Sequence, residues 1–179
     1  MRRLAVVAAA TAFALAGCGG SDEPTDVTPT QAEATADADG FTPDEREVAD
    51  AAAAYYALIN DFQGGDKTVD FESVLTADEA ATVAPLIGAA FKSQKTLGES
   101  VYRPTDVTID GDTASAVGCL DSSGTIKVPS NTPEDAITLP DPKGEGIVTT
   151  LPLTKTADGW RVSSVQATDE EKVPCSTAD

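Results

Sequence analysis

The side chains able to do chemistry in this chain are few in kind: three cysteines (Cys18, Cys119 and Cys175), thirty carboxylates and no histidine. Without histidine there is no Ser-His-Asp or Cys-His arrangement and no imidazole metal ligand. The cysteines stand far apart with no CxxC pair, which supports a metal site poorly. Neither common glycine-rich phosphate loop is present. Asp61, Asp66, Asp70 and Glu72 crowd one stretch. Acid–base work by such groups requires a perturbed pKa in a cleft, and a solvated loop explains them at least as well. Asp110 and Asp112 suggest Ca²⁺, yet their surroundings lack the spacing of a Ca²⁺ loop, and a turn accounts for both.

Cys18 has the most telling surroundings. Met1-Arg2-Arg3 precedes a 13-residue apolar run, "LAVVAAATAFALA", and small residues close it. This is the layout of a secretory signal peptide over 1–17. The run is short for a membrane span, which needs roughly 20 apolar residues. An uncleaved N-terminal anchor is the alternative, and the paired arginines are a weak signal for Tat export. Leu15-Ala16-Gly17-Cys18 resembles the lipobox of bacterial lipoproteins. That resemblance implies cleavage before Cys18 and diacylglyceryl transfer to its thiol. One acyl chain gives marginal membrane attachment and two give stable anchoring, at ~0.8 kcal/mol per buried CH₂. The expected location is the extracytoplasmic face of the cell membrane, with Cys18 as the lipid anchor. Lipidation also resolves the odd cysteine count. It leaves Cys119 and Cys175 in an oxidising compartment, where a disulfide is the default. A metal pair or a reactive thiol are the rivals.

Twelve basic residues face thirty acidic ones, a net charge of −18. Loss of Arg2 and Arg3 with the signal leaves 10 basic against 30 acidic, or −20. Nucleic-acid binding draws on Lys and Arg at phosphates, so it is excluded as a class. An electrostatic hold on anionic lipid is disfavoured too, and solubility is the plain reading of the charge. The richness in Ala, Thr, Asp and Val resembles proteins of high-GC bacteria such as actinomycetes.

The elements that would position any site begin after residue 40. Residues 18–40 hold the lipidated cysteine and an acidic linker rich in Gly, Pro and Thr, with nothing to bury. Disorder is expected, and 22 linker residues would span ~25 Å as a flexible tether. A single domain is expected over 41–179. Thr42, Pro43 and Glu45 predict a helix start. Val48, Ala52, Tyr55, Ile59 and Phe62 recur at steps of three or four, and Gly64-Gly65 ends the helix. A second helix is expected over Thr76–Lys92, with the same capping pattern at Thr76 and Glu79 and a kink or break at Pro85. Its stripe is Ala80, Val83, Ile87 and Phe91. "KSQKTLGES" reads as a loop.

From Val101 the period becomes two. One hairpin is expected to turn at Asp110-Gly111 and another at Asp158-Gly159. "GTIKV" would extend the first hairpin or form an edge strand. Residues 129–146 carry four prolines and read as a long irregular excursion, of a kind that is often functional or mobile.

Helices followed by antiparallel strands make an α+β domain, N-terminal helices on a curved antiparallel sheet. With the paired Tyr55-Tyr56 and the "DGDTASAVGC" and "DGWRV" hairpins, this order resembles the NTF2-like (cystatin-like) superfamily. It resembles in particular the small actinobacterial lipoproteins of that fold. The resemblance implies a conical cavity under the helices, lined here by Tyr55, Tyr56, Ile59, Phe62, Phe91 and Trp160. Aromatics of this kind form core more often than they line a pocket. Enzymes of the superfamily use His or Asp in the cavity, and this chain has no His.

Three functions follow, in this order. The first is a non-catalytic envelope module that binds a protein partner, for which a filled core and an exposed apolar patch would speak. The second is a binder of a small apolar ligand or lipid, which needs a large closed pocket. The third is a cavity-type enzyme, which needs a buried Asp with a raised pKa. No cofactor or metal is implied.

Overall fold

Thr42 ends an extended segment and opens helix α1 (Pro43–Gly64). The expected capping box forms. The Glu45 N–H donates to Thr42 Oγ1 at 3.4 Å, and the Thr42 N–H donates to Glu45 Oε2 at 2.8 Å. Gly65 closes the helix at φ 127°, a backbone angle that glycine adopts at little cost. This is a computed structural model, and it describes residues 40–165 and 172–175. The expected signal peptide at 1–17, Cys18 and all but the last residue of the expected linker lie outside the described residues.

A 3₁₀ turn, Phe71–Ser73, follows α1, with the Asp70 carboxylate accepting from the Glu72 N–H at 3.0 Å. Helix α2 runs Ala77–Ala90. Two expectations for it are corrected. Thr76 is the N-cap but makes no side-chain cap bond. Glu79 is not free to reach back, because its carboxylate accepts the Val165 N–H at 2.6 Å, from a segment 86 residues away. Nor does Pro85 divide the helix. A proline removes the hydrogen bond to the carbonyl four residues before it. Here that residue, Ala81, is exposed, as is Pro85, so water can satisfy the carbonyl.

Seven strands follow: β1 (Gln94–Leu97), β2 (Val101–Asp110), β3 (Thr113–Asp121), β4 (Ile126–Pro129), β5 (Glu145–Thr156), β6 (Gly159–Val162) and β7 (Lys172–Pro174). The main sheet is antiparallel in the order β2-β3-β5-β6, and β7 also pairs with β5. A bulge interrupts the β2–β3 register between Pro104 and Asp106. Both hairpin turns sit one residue away from the expected dipeptide. Asp110 pairs with Thr113, so Gly111-Asp112 is the loop, with Gly111 at φ 59° as the first residue of a two-residue turn requires. Thr156 pairs with Gly159, so the loop is Ala157-Asp158, and Gly159 at φ 102° begins the strand.

The segment read as a loop after α2 contains β1, which pairs antiparallel with β4 in a separate two-stranded sheet. "GTIKV" therefore does not extend the first hairpin; as β4 it is an edge strand, paired with β1 outside the main sheet. β1 is polar, "QKTL", and carries no alternating apolar signal, so its strand state comes from its partner. At the far edge, the chain ahead of α2 extends the main sheet. Leu75 bridges Val162 in parallel, with Val162 N–H to Val74 O and Thr76 N–H to Val162 O both at 2.9 Å.

The domain is thus α+β, two helices packed on an antiparallel sheet, as expected. α1 crosses the sheet and also meets β1. One core joins Val48, Ala52, Tyr55 and Ile59 of α1 and Ala80 and Val83 of α2 to Val107, Leu151, Leu153, Trp160 and Val162 of the sheet. The opposite face of β3 carries Cys119, which is joined to Cys175 in the expected disulfide.

Candidate functional site

β3 turns small residues toward α1: Ala114, Ala116 and, in alternation with them, Gly118. Small residues on a sheet under a helix would leave a hollow. Three tyrosines occupy it instead. Tyr56 stacks on Tyr102 with ring centroids 4.7 Å apart, and Tyr55 meets Tyr56 edge-on at 5.0 Å. The Tyr56 hydroxyl donates to Thr149 Oγ1 at 3.2 Å, and the Tyr102 hydroxyl donates to the Ala116 carbonyl at 3.3 Å. Burial pushes the Tyr55 and Tyr102 phenols well above their ordinary value, so both remain neutral. The Tyr102 ring lies so close over Gly118 that a Cβ there would stand 2.5 Å from its Cζ. Glycine at 118 is what lets the ring lie flat on the strand.

The six residues expected to line one cavity fall into two groups. Tyr55, Ile59 and Trp160 belong to the core, with Tyr56 packed against it. Phe62 and Phe91 are buried at the end of α1 beside lysines. Lys67 Nζ lies 3.9 Å above the Phe62 ring and donates to the Phe62 carbonyl at 2.7 Å, and Lys127 approaches Phe91 at 5.5 Å. A cation at these last carbonyls complements the helix dipole.

An open concavity among the described residues lies elsewhere. It is an open groove of about 1100 Å³ between the end of α1, the β1–β2 connection and residues 139–142. Its apolar surface comes from Leu97, Val101, Leu139, Pro140 and Pro142, and its carboxylates are Asp61, Asp66, Glu99, Glu134 and Asp141. None of the six cavity residues lines it. Of the acidic cluster read after α1, the groove brings together Asp61 and Asp66, while Asp70 caps the 3₁₀ turn and Glu72 is exposed.

The groove walls are pinned by short-range chemistry. Asn60 on α1 clamps the β1–β2 turn, its Nδ2 donating to Ser100 O at 2.7 Å and its Oδ1 accepting from the Ser100 N–H at 3.1 Å. Gly98, at φ 84°, passes against the Gly124 carbonyl where no side chain fits. On the other wall, Ser123 Oγ accepts the Lys143 N–H at 2.7 Å and donates to Asp121 Oδ1 at 2.6 Å. The proline-rich excursion is thereby tied to the end of β3.

Asp121 is the buried carboxylate of the described domain, 5 % exposed. Burial works to raise its pKa, but hydrogen bonds from Ser123 and Gly144 and the Arg103 guanidinium prevail and hold it below the ordinary value. It is therefore ionised at neutral pH. Its folded-state pKa is depressed, so its contribution to stability is complete above the ordinary value of 3.8 and is lost as pH falls through the lower folded value. Asp121→Asn should lower Tm at about pH 6 and narrow the gap to wild type at about pH 3. Parallel Tm-against-pH curves for the two proteins would contradict this role.

Most of the groove escaped sequence reading. Asn60, Leu97 and Val101 carry no local mark, because a clamp between a helix and a turn 40 residues on has no sequence period. The irregular excursion over 129–146 was the one signal pointing to Leu139 and Asp141.

Among the described residues no group of three or more Cys, Asp or Glu side chains is arranged to hold a metal ion. No helix in them is long and apolar enough to cross a membrane. No protein-family model matches the chain, and no curated protein matches it. Among solved structures, the chain is similar to that of the Kfla4162 protein from Kribbella flavida, at 20% identity and a TM-score of 0.42, over 72% of this chain and 94% of that one.

Proposed function

We propose that this chain is a bacterial lipoprotein, held on the extracytoplasmic face of the cell membrane by diacylglycerol on Cys18, with a domain that serves the envelope as a protein-binding module. The lipobox-like Leu15-Ala16-Gly17-Cys18 supports the anchor. The packing of Tyr55, Tyr56 and Tyr102 supports the module: the space under α1 where a small apolar ligand would sit is taken by rings packed on one another, two of them hydrogen-bonded to the sheet. Recognition then falls to the surface. There Val101 and Leu139 stand 43 % and 45 % exposed in the groove, as apolar side chains do at contact sites. Catalysis by a raised-pKa acid finds no support at Asp121, which is held ionised.

The anchor is tested by fractionation in a lipoprotein-processing host. Wild type should sit in the membrane fraction, with its mature N-terminal peptide beginning at an acylated Cys18. Cys18→Ala should appear in the medium or persist as the unprocessed precursor. If Cys18→Ala fractionates like wild type, the anchor is lost from the reading. A lipid co-purifying at one equivalent with the delipidated domain would move the function to small-ligand binding.

A further inference from the structure

We infer that the groove between the end of α1 and residues 139–142 is the docking site for an extended segment of a partner protein that carries Lys or Arg beside apolar side chains. The inference rests on the binding-module reading and names the surface and the chemistry of its partner. Three observations carry it. The groove has two chemistries side by side: the exposed apolar Val101 and Leu139, and a set of carboxylates with no basic residue among the lining. Two of those carboxylates are already engaged. Glu134 pairs with Lys95 at 3.2 Å, and Asp66 accepts from the Thr68 hydroxyl and N–H. Asp61, Glu99 and Asp141 have no basic partner among the described residues, so they are left to face a cation from outside. Finally, the walls are preset by Asn60, Ser123 and the Gly98–Gly124 crossing, which reduces the ordering needed on binding.

Charge decides the occupant. The linker over 19–40 has six acidic residues and no basic one, so it would be repelled. A second copy, at −18, would be repelled as well. A cationic segment meets complementary potential, and its apolar residues cover Val101 and Leu139.

The test uses the purified full-length chain in detergent and a synthetic peptide of alternating Arg and Leu. A −18 protein attracts any polycation, so the experiment compares two charge-matched variants. One is Asp61→Asn with Glu99→Gln and Asp141→Asn, in the groove. The other is Asp106→Asn with Asp112→Asn and Asp158→Asn, all exposed and outside the groove. The groove variant should weaken binding about tenfold, and the control variant should change it less than about twofold. Leu139→Ala should weaken binding at unchanged Tm. Equal losses in the two charge variants, or no saturable binding by wild type at low salt, overturn the inference. A photo-crosslinker at Leu139 and one at Val148, exposed on the other face of the sheet, separate this failure from that of the module itself. Cross-links to a Lys/Arg-bearing segment from 139, lost in the groove variant, support the inference. A partner captured only from 148 keeps the binding module and overturns the groove.

Discussion

Cys175→Ser is expected to lower the stability of the folded domain by about 4 kcal/mol, the loop-entropy value for a crosslink spanning this many residues. Cys119 and Cys175 are separated by 56 residues and closed with Cα atoms 5.6 Å apart. That span takes in β4, the proline-rich excursion, β5, β6 and β7, so the crosslink restrains more than half of the sheet in the unfolded chain. Its local role is just as definite. β7 pairs with β5 at only three positions, Glu145 with Pro174, Gly146 with Val173 and Ile147 with Lys172. Three ladder positions do not hold a strand by themselves, and the disulfide pins its end. The bridge reaches β3 across β5 at Gly146. A Cβ there would stand 2.6 Å from Cys175 Sγ and run into the Leu120 carbonyl, so the strand crossing requires glycine. Thermal unfolding of Cys175→Ser and of wild type in reductant should agree, both on the order of 12 °C or more below the oxidised protein. Amide exchange at β7 should rise to that of unpaired backbone. An oxidised and a reduced protein melting together would contradict the assignment of the bond as a structural one.

Leu153→Ala is expected to cost about 3–4 kcal/mol, against less than about 0.5 kcal/mol for Leu139→Ala. The chemistry deleted is the same, and only the surroundings differ. Leu153 is 1 % exposed, opposite Ala114 on one side and Val162 on the other, in the layer under α1. Its neighbours are held by two ladders and cannot close over the lost volume, so a cavity term adds to the lost transfer free energy. Leu139 is 45 % exposed and holds no core position, so its removal leaves no cavity. Urea denaturation of the two variants measures both. Similar losses would mean that the 139–142 wall is part of the core and not a surface for a partner. The expected contrast is also what makes Leu139→Ala a clean probe of the groove, because a loss of binding could not then be assigned to unfolding.

Several elements were legible because they are encoded within a few residues. The capping box at Thr42, the α1 stripe from Val48 to Phe62 and the Gly65 stop depend on side chains three or four apart, and each formed as read. Both β-hairpins were found from alternation and glycine. Their turns shifted by one residue because a dipeptide signal marks a bend, while pairing decides which residue closes it. β1 was missed because "QKTL" has no apolar period, and it is a strand only because β4 lies beside it. Glu79 carries a cap signature, yet its carboxylate serves Val165, a competitor no local window contains. The continuous α2 shows the same limit: whether a proline breaks a helix depends on whether the carbonyl it orphans meets water.

The sequence by itself determined the α+β class and the principal helices and hairpins, because these rest on local periodicity and caps. It also pointed to the pairing of Cys119 with Cys175, on the expectation that Cys18 is lipidated and the compartment oxidising. Only the tertiary structure decided what becomes of the space under α1. Tyr55 and Tyr56 lie on the helix, Tyr102 on β2 and Gly118 on β3, and their fit depends on the angle and register at which these elements meet. For the same reason the groove appears only once α1, β1 and the 139–142 wall are assembled: its residues come from separate stretches of chain, held together by Asn60 and Ser123 through contacts that no sequence period records.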